Sequence, residues 1–190
     1  MSNAIEIEAK ALVSKEQYSQ LAKLFPSAPR YLQTNYYIDT PDRTLAKAGI
    51  ALRIREKAGS FELTLKTPLS QGLLEKSVPL TMNEFGALRD FNEFPKNDLR
   101  RFLTMLDFNV DDLKILASLT TDRIDVEYEG GLLSIDLNSY GGKVDFEVEF
   151  EYNNLGGAER ILGEFLKQNK IDVPFSKISK TSRAIAEARK

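Results

Sequence analysis

No cysteine, histidine or tryptophan occurs among the 190 residues of this chain, and the first two absences remove whole classes of chemistry. Without cysteine there is no disulfide framework and no thiolate nucleophile. Without histidine there is no imidazole general base and no phosphohistidine intermediate, and with both missing there is no zinc site of the Cys/His type. No apolar run approaches the ~20 residues of a membrane span, and the N-terminus shows no leader pattern. A cytoplasmic location with no membrane partner is therefore the default expectation. Neither sign of charge dominates: 26 Lys and Arg against 28 Asp and Glu leave a net charge of −2. That argues against nucleic acid as a partner held on a broad basic surface. The chemistry left belongs to carboxylates, lysines, arginines and tyrosines, and so to metal-assisted or carboxylate mechanisms.

What is present is alternation. Ile5-Glu6-Ile7-Glu8-Ala9-Lys10 reads as a strand with Glu6, Glu8 and Lys10 on one face and the apolar residues on the other. Two carboxylates about 6.6 Å apart along a strand suit a hard divalent cation, with an ammonium nearby for an anion. A half-solvated antiparallel strand shows the same alternation with no function. The pattern recurs, however, and sorts its charges by sign: Arg53 and Arg55 share one strand face; Glu62, Thr64 and Lys66 another; then Arg123, Asp125 and Glu127; then Ser134, Asp136 and Asn138. Asp145, Glu147, Glu149 and Glu151 put four carboxylates in a row on one face, which repel one another unless something positive lies opposite.

Helices punctuate these strands. Ser14-Lys15-Glu16-Gln17 is a capping box, followed by Tyr18, Leu21, Ala22 and Phe25 at helical spacing, so a helix is expected over about 14–24. Further strands are expected at about 31–40, 50–56, 61–67 and 73–80, with Lys57-Ala58-Gly59-Ser60 as a hairpin turn and Ser70-Gln71-Gly72 before the last. Helices at about 84–89 and 96–106 follow, then strands at 115–127, 132–140 and 143–152 separated by the turns Gly130-Gly131 and Gly141-Gly142. Ala158, Ile161, Leu162 and Phe165 mark another helix, and a last helical stretch begins near Ser179. With no dividing linker, the whole chain 1–190 reads as one domain.

About eight hairpin-connected strands and several amphipathic helices make an α+β fold. If the helices cover the apolar faces, the charged faces either look into water or line the lumen of an eight-stranded antiparallel β-barrel, just wide enough for one small ligand. A lumen crowded with acids and bases is costly unless they pair or bind ions and a charged ligand. In that geometry the alternation predicts a polyanion and a metal.

These residues resemble the CYTH superfamily, also called triphosphate tunnel metalloenzymes, and most of all its members from Gram-positive bacteria. Glu6, Glu8 and Lys10 match the family's Glu-x-Glu-x-Lys signature. Arg53, Arg55, Lys66, Glu75 and Arg123 match its later charged strand positions, Glu147 and Glu149 its late acidic strand, and Ser179-Lys180-Thr181-Ser182-Arg183 its Ser-Lys-x-x-Arg pattern. The resemblance spans nearly the whole chain in the family's order. It implies a single CYTH domain forming a triphosphate tunnel, a small-molecule triphosphate substrate, and Mg²⁺ or Mn²⁺. Lys10, Arg53, Arg55, Lys66, Arg123, Lys180 and Arg183 would then grip phosphates. Glu6, Glu8, Glu147 and Glu149, with Asp136 and Glu75 as further candidates, would hold the metal. Lys10 and Tyr37 would act in proton transfer beside the catalytic Glu6 and Glu8.

Blander roles stand beside several of these. Arg123 could simply pair with Asp136, and Lys180 and Arg183 could be a solvated helix face. Tyr36 and Tyr37 are adjacent, so at most one lines a tunnel. The expected activity is a metal-dependent triphosphatase acting on inorganic tripolyphosphate or an organic triphosphate. The alternatives are an adenylate cyclase of the CYTH type and a polyphosphate or nucleotide sensor without turnover. No base-recognition motif is evident, and there is no tryptophan to stack a thiamine ring.

Overall fold

The computed structural model describes residues 2–69, 73–152 and 157–190, with side chains described from residue 7 onward. The expected Ser70-Gln71-Gly72 segment and the side chain of Glu6 lie outside the described residues. The strands are β1 (Ser2–Glu6), β2 (Glu8–Val13), β3 (Arg30–Asp39), β4 (Ala51–Lys57), β5 (Ser60–Pro68), β6 (Leu73–Leu80), β7 (Lys114–Tyr128), β8 (Gly131–Tyr140) and β9 (Lys143–Glu151). The helices are α1 (Lys15–Ala22), α2 (Thr44–Lys47), α3 (Met82–Phe91), α4 (Asp98–Met105), α5 (Ala158–Gln168) and α6 (Lys180–Ala188). No helix among the described residues is long and apolar enough to cross a membrane.

All nine strands form one antiparallel sheet in the order β1-β6-β5-β4-β3-β7-β8-β9-β2. Its two ends, β1 and β2, are neighbours in the chain. The expected first strand is split at Ile7: Glu6 faces Leu73 on β6, while Glu8 faces Glu151 on β9. Ile7 still accepts a 2.9 Å hydrogen bond from the Tyr152 amide. The ring is thus completed by a strand that changes partner rather than by a ladder between its ends. Counted as one, β1 and β2 give the expected eight-stranded, barrel-like tunnel.

Why the charged faces turn inward follows from where the helices pack. On one flank, Leu52, Ile54, Leu63 and Leu65 from β4 and β5 bury against Phe85, Leu88, Leu99 and Leu103 of α3 and α4. On the other, Ala9, Ala11, Leu133, Ile135, Val148 and Phe150 bury against Tyr18 and Leu21 of α1 and Ile161, Leu162 and Phe165 of α5. With the apolar faces of β2, β4, β5, β8 and β9 claimed by helices, the period-2 alternation leaves their polar faces for the lumen. The Ser14 capping box is formed, with Gln17 as its reciprocal partner. Tyr36 faces out and packs on Phe85, and Tyr37 faces in and is 2% exposed. The third cluster joins Tyr37 and Leu119 to Ala184 and Ile185, so α6 packs against the lumen side of β3 and β7.

One local reading is corrected, and one short helix was not anticipated. The turn expected at Gly130-Gly131 is Glu129-Gly130, both at positive φ (46° and 76°), and Gly131 opens β8. A Cβ on Gly131 would lie 2.5 Å from the Glu151 carbonyl oxygen, so the glycine is needed for close strand approach rather than for the turn. The short α2, which has no amphipathic repeat to betray it, is held by Asp39. That buried carboxylate accepts hydrogen bonds from the Leu45 and Ala46 amides and from Arg43.

Candidate active site

The lumen holds a cavity of about 320 Å³ reached by side chains from eight strands, β2 to β9, and from the start of α6. One wall is basic. Arg53 and Arg55 project from β4 and Lys66 from β5, with a single carboxylate, Glu75 of β6, among them. Glu75 lies 3.2 Å from Lys66 and 4.0 Å from Arg53, and these cations, against the cost of burial, hold its carboxyl below the usual range. Arg55 has no ion pair among the described residues; its Nε only reaches the Asn35 Oδ1 at 3.4 Å. Repulsion from Arg53, then burial, pulls the Arg55 guanidinium down to about 10, which leaves it charged at neutral pH.

The opposite wall is acidic. Glu147 sits directly across from Asp136 in the β8–β9 ladder, and Glu149 across from Lys10 on β2. Asp136 and Glu147 are fully buried, and like charges facing each other across a ladder are destabilising unless cations intervene. They do. Arg123 of β7 forks onto Asp136 at 2.8 and 2.6 Å and reaches Glu149 at 2.6 Å. Lys180, the first residue of α6, inserts 2.8 Å from Asp136 and 2.6 Å from Glu149. Arg183, one turn later, pairs with Glu147 and lies 2.9 Å from Asp145. Lys10 pairs with Glu8.

Their electrostatics divide these carboxylates. Burial pushes the Glu149 carboxyl up, but Lys180 and Arg123 outweigh it and hold it well below the carboxylate range. Burial wins at Glu147, which is pushed up to about 7, and its Oε1 is buried without a hydrogen-bond partner. Burial also raises the Tyr37 phenol. A third group fixes the cavity's edge: the Tyr31 hydroxyl donates to Asp125, which also accepts from Ser134 at 2.7 Å. Burial and that hydrogen bond push the Tyr31 phenol up to about 12.

An enclosed lumen with a basic wall facing an acidic one is the arrangement the comparisons then account for. The CYTH domain family matches residues 4–182. The chain belongs to the CYTH domain family. A Bacillus subtilis protein named "Putative triphosphatase YjbK" is 33% identical over 192 residues, covering 100% of this chain and 99% of that protein. An "Inorganic triphosphatase" of Haemophilus influenzae is 28% identical over 198 residues, with 94% of this chain matching 53% of that longer protein. Among solved structures, a Bacillus halodurans protein described as a "putative adenylate cyclase" superposes with a TM-score of 0.89 at 36% identity, covering 96% of this chain and 98% of that one.

Within this CYTH fold, the residues singled out in sequence fall into groups. Glu8, Lys10, Tyr37, Arg53, Arg55, Lys66, Glu75, Arg123, Glu149 and Lys180 line the cavity, and Asp136, Glu147 and Arg183 stand directly behind it. Glu6 ends β1, with its side chain outside the described residues. Three placements bear on the roles expected of them. Glu75 belongs to the basic wall, away from the other carboxylates named as metal ligands. Lys180 and Arg183 are no solvated face, since their side chains are only 12% and 10% exposed. Arg123, Lys180 and Arg183 all engage carboxylates, as in the Arg123–Asp136 pairing anticipated above, which leaves Arg53 and Arg55, of these arginines and lysines, least matched by acids among the described residues. Sequence reasoning passed over Gln33, Asn35 and Tyr31, although they share Tyr37's alternate positions on β3 and line the same cavity.

Proposed function

We propose that this CYTH protein is a metal-dependent triphosphatase that hydrolyses inorganic tripolyphosphate or a simple organic triphosphate inside its tunnel. The observation that carries the reading is the pair Arg53 and Arg55 on one cavity wall, where the nearest carboxylate, Glu75, lies 4.0 Å from Arg53 and closer to Lys66. Buried cations in that state gain most from a multiply charged anion whose oxygens accept forked hydrogen bonds. The names of the relatives from B. subtilis and H. influenzae support the same chemistry.

The acidic wall fits a hard divalent ion by its donor set. Its ligands are all carboxylate oxygens, and the unpartnered Glu147 Oε1 is a buried acceptor without a donor. Among the described residues no three carboxylates converge on one point, because Lys10, Arg123, Lys180 and Arg183 occupy the spaces between them. Glu8, Glu147 and Glu149, with Glu6 and the adjacent Asp136, would hold Mg²⁺ or Mn²⁺, which supplies charge neutralisation of the phosphates and activation of water when bound. In the reaction a water oxygen bonds to the terminal phosphorus as the bond to the bridging oxygen breaks in line, releasing phosphate and leaving the shortened chain. Arg53, Arg55 and Lys66 orient that chain. Lys10, whose ammonium Glu8 helps to keep charged against burial, donates to the transferred phosphoryl. Tyr37 keeps its proton and so acts as a donor at the cavity floor.

The test is a product assay with Mg²⁺ or Mn²⁺ on tripolyphosphate, ATP and thiamine triphosphate. Phosphate release that EDTA abolishes and Glu8→Gln reduces by about 10²-fold or more is expected. The 36%-identical B. halodurans structure motivates the cyclase alternative. Cyclic AMP and pyrophosphate from ATP in place of released phosphate would overturn the hydrolase reading, and full phosphate release by Glu8→Gln with EDTA present would overturn its metal dependence.

A further inference from the structure

The cationic face of β4 does not end at Arg55. Ala51, Arg53, Arg55 and Lys57 share one face of the strand by alternation, and the first three line the cavity. Lys57 is the last residue of β4 before the Ala58-Gly59 turn, so it stands at the rim, about 6.6 Å further along the strand than Arg55. Its ammonium is not neutralised by a carboxylate among the described residues. It lies 3.4 Å from the centroid of the Tyr31 ring. A contact of this kind holds a lysine in place while leaving its full charge available to an anion, which an ion pair would not do. The platform beneath it is fixed in turn: Tyr31 lines the cavity, its hydroxyl donates to Asp125, and Asp125 is braced by Ser134.

We propose that Lys57, seated on Tyr31, is an outer anion subsite that receives the next phosphoryl group of a linear polyphosphate longer than three phosphates. The tunnel then discriminates by chain length. A triphosphate spanned by Arg53 and Arg55 ends inside the cavity, and one more phosphate on the same chain comes within reach of the rim ammonium. This proposal rests on the reading of the tunnel as a triphosphate site.

The experiment is calorimetric binding of tripolyphosphate and tetrapolyphosphate to the full chain in EDTA, so that turnover plays no part. The wild type is expected to bind the longer chain about tenfold more tightly, a single charge-assisted contact. Lys57→Met should bring the tetra-to-tri affinity ratio to about one, as should Tyr31→Leu, which removes the platform. Tyr31→Phe keeps the ring and should keep the ratio. A wild type with equal affinity for both lengths, or a ratio unchanged by Lys57→Met, overturns the subsite while leaving the triphosphate reading intact. Failure to bind tripolyphosphate at all overturns both.

Discussion

Arg53 and Arg55, two residues apart on β4, repel each other in a desolvated lumen, and in the proposed function a bound polyanion offsets that repulsion. A site of this kind trades stability for binding, and the two can be separated by mutation. Arg55→Met removes a repelled, buried charge and keeps most of the stem, so we expect a melting temperature equal to or above the wild type. The same variant should raise the KM for tripolyphosphate by at least about tenfold, the loss of one charge-assisted contact. A variant that melts lower and binds normally would show Arg55 to be structural. Glu147 supplies a second prediction at this scale. Burial raises its carboxyl from 4.5 to about 7, so between those values the folded protein holds a proton that the unfolded chain has released. Stability from this group is therefore greatest below about 4.5 and is lost as pH rises through about 7. Glu149, held below the carboxylate range, is ionised in both states well above 4.5, so it adds no slope over the upper part of that window. Urea titrations of the metal-free protein from pH 5 to 8 should show Glu147's decline, and Glu147→Gln should flatten it. A wild-type profile that rises with pH over this window would contradict the assignment.

At the scale of elements, the strands were legible because their period-2 pattern survives whatever lies around them. Glu62-Thr64-Lys66 and Asp145 to Glu151 name their faces without a structure. The amphipathic α4 and α5 were legible for the same reason at period 3.6. What sequence could not supply was pairing at a distance. The partner switch at Ile7 depends on β6 and β9 arriving on opposite sides of one strand, and nothing within residues 5–10 encodes it. The fate of Lys180 and Arg183 likewise depends on α6 packing through Ala184 and Ile185 onto Tyr37 and Leu119, which carries the helix's first turn into the lumen. Gly131 shows the limit in one residue. As half of a glycine pair it reads as a turn, yet its role is set by Phe150 and the Glu151 backbone on the next strand. A Cβ there would lie 2.5 Å from the Phe150 Cζ as well as from the Glu151 oxygen. Gly131→Ala should therefore cost about 1–3 kcal/mol by overpacking, read as a drop in denaturation midpoint. Unchanged stability would mean that β8 and β9 separate freely at that end.

For the whole molecule, the net charge of −2 and the proposed polyanionic substrate are reconciled by placement. The cations that matter are inside a ring of strands, where access depends on width as well as charge. An extended triphosphate can enter such a lumen, and a duplex of nucleic acid with the same phosphates cannot. The consequence is measurable by linkage, since a ligand bound only by the folded state stabilises it in proportion to the logarithm of one plus the ratio of its concentration to its dissociation constant. Tripolyphosphate at about 100 times its dissociation constant should add about 2.7 kcal/mol, or a rise of about 5–10 °C in melting temperature for a chain of this length. Duplex DNA at the same phosphate concentration should leave the melting temperature where it was. It should also fail to displace tripolyphosphate at low ionic strength, where any exposed basic surface would bind it best. Equal stabilisation by DNA would place the anion-binding residues on the outside of the barrel and sink the tunnel as the site of recognition.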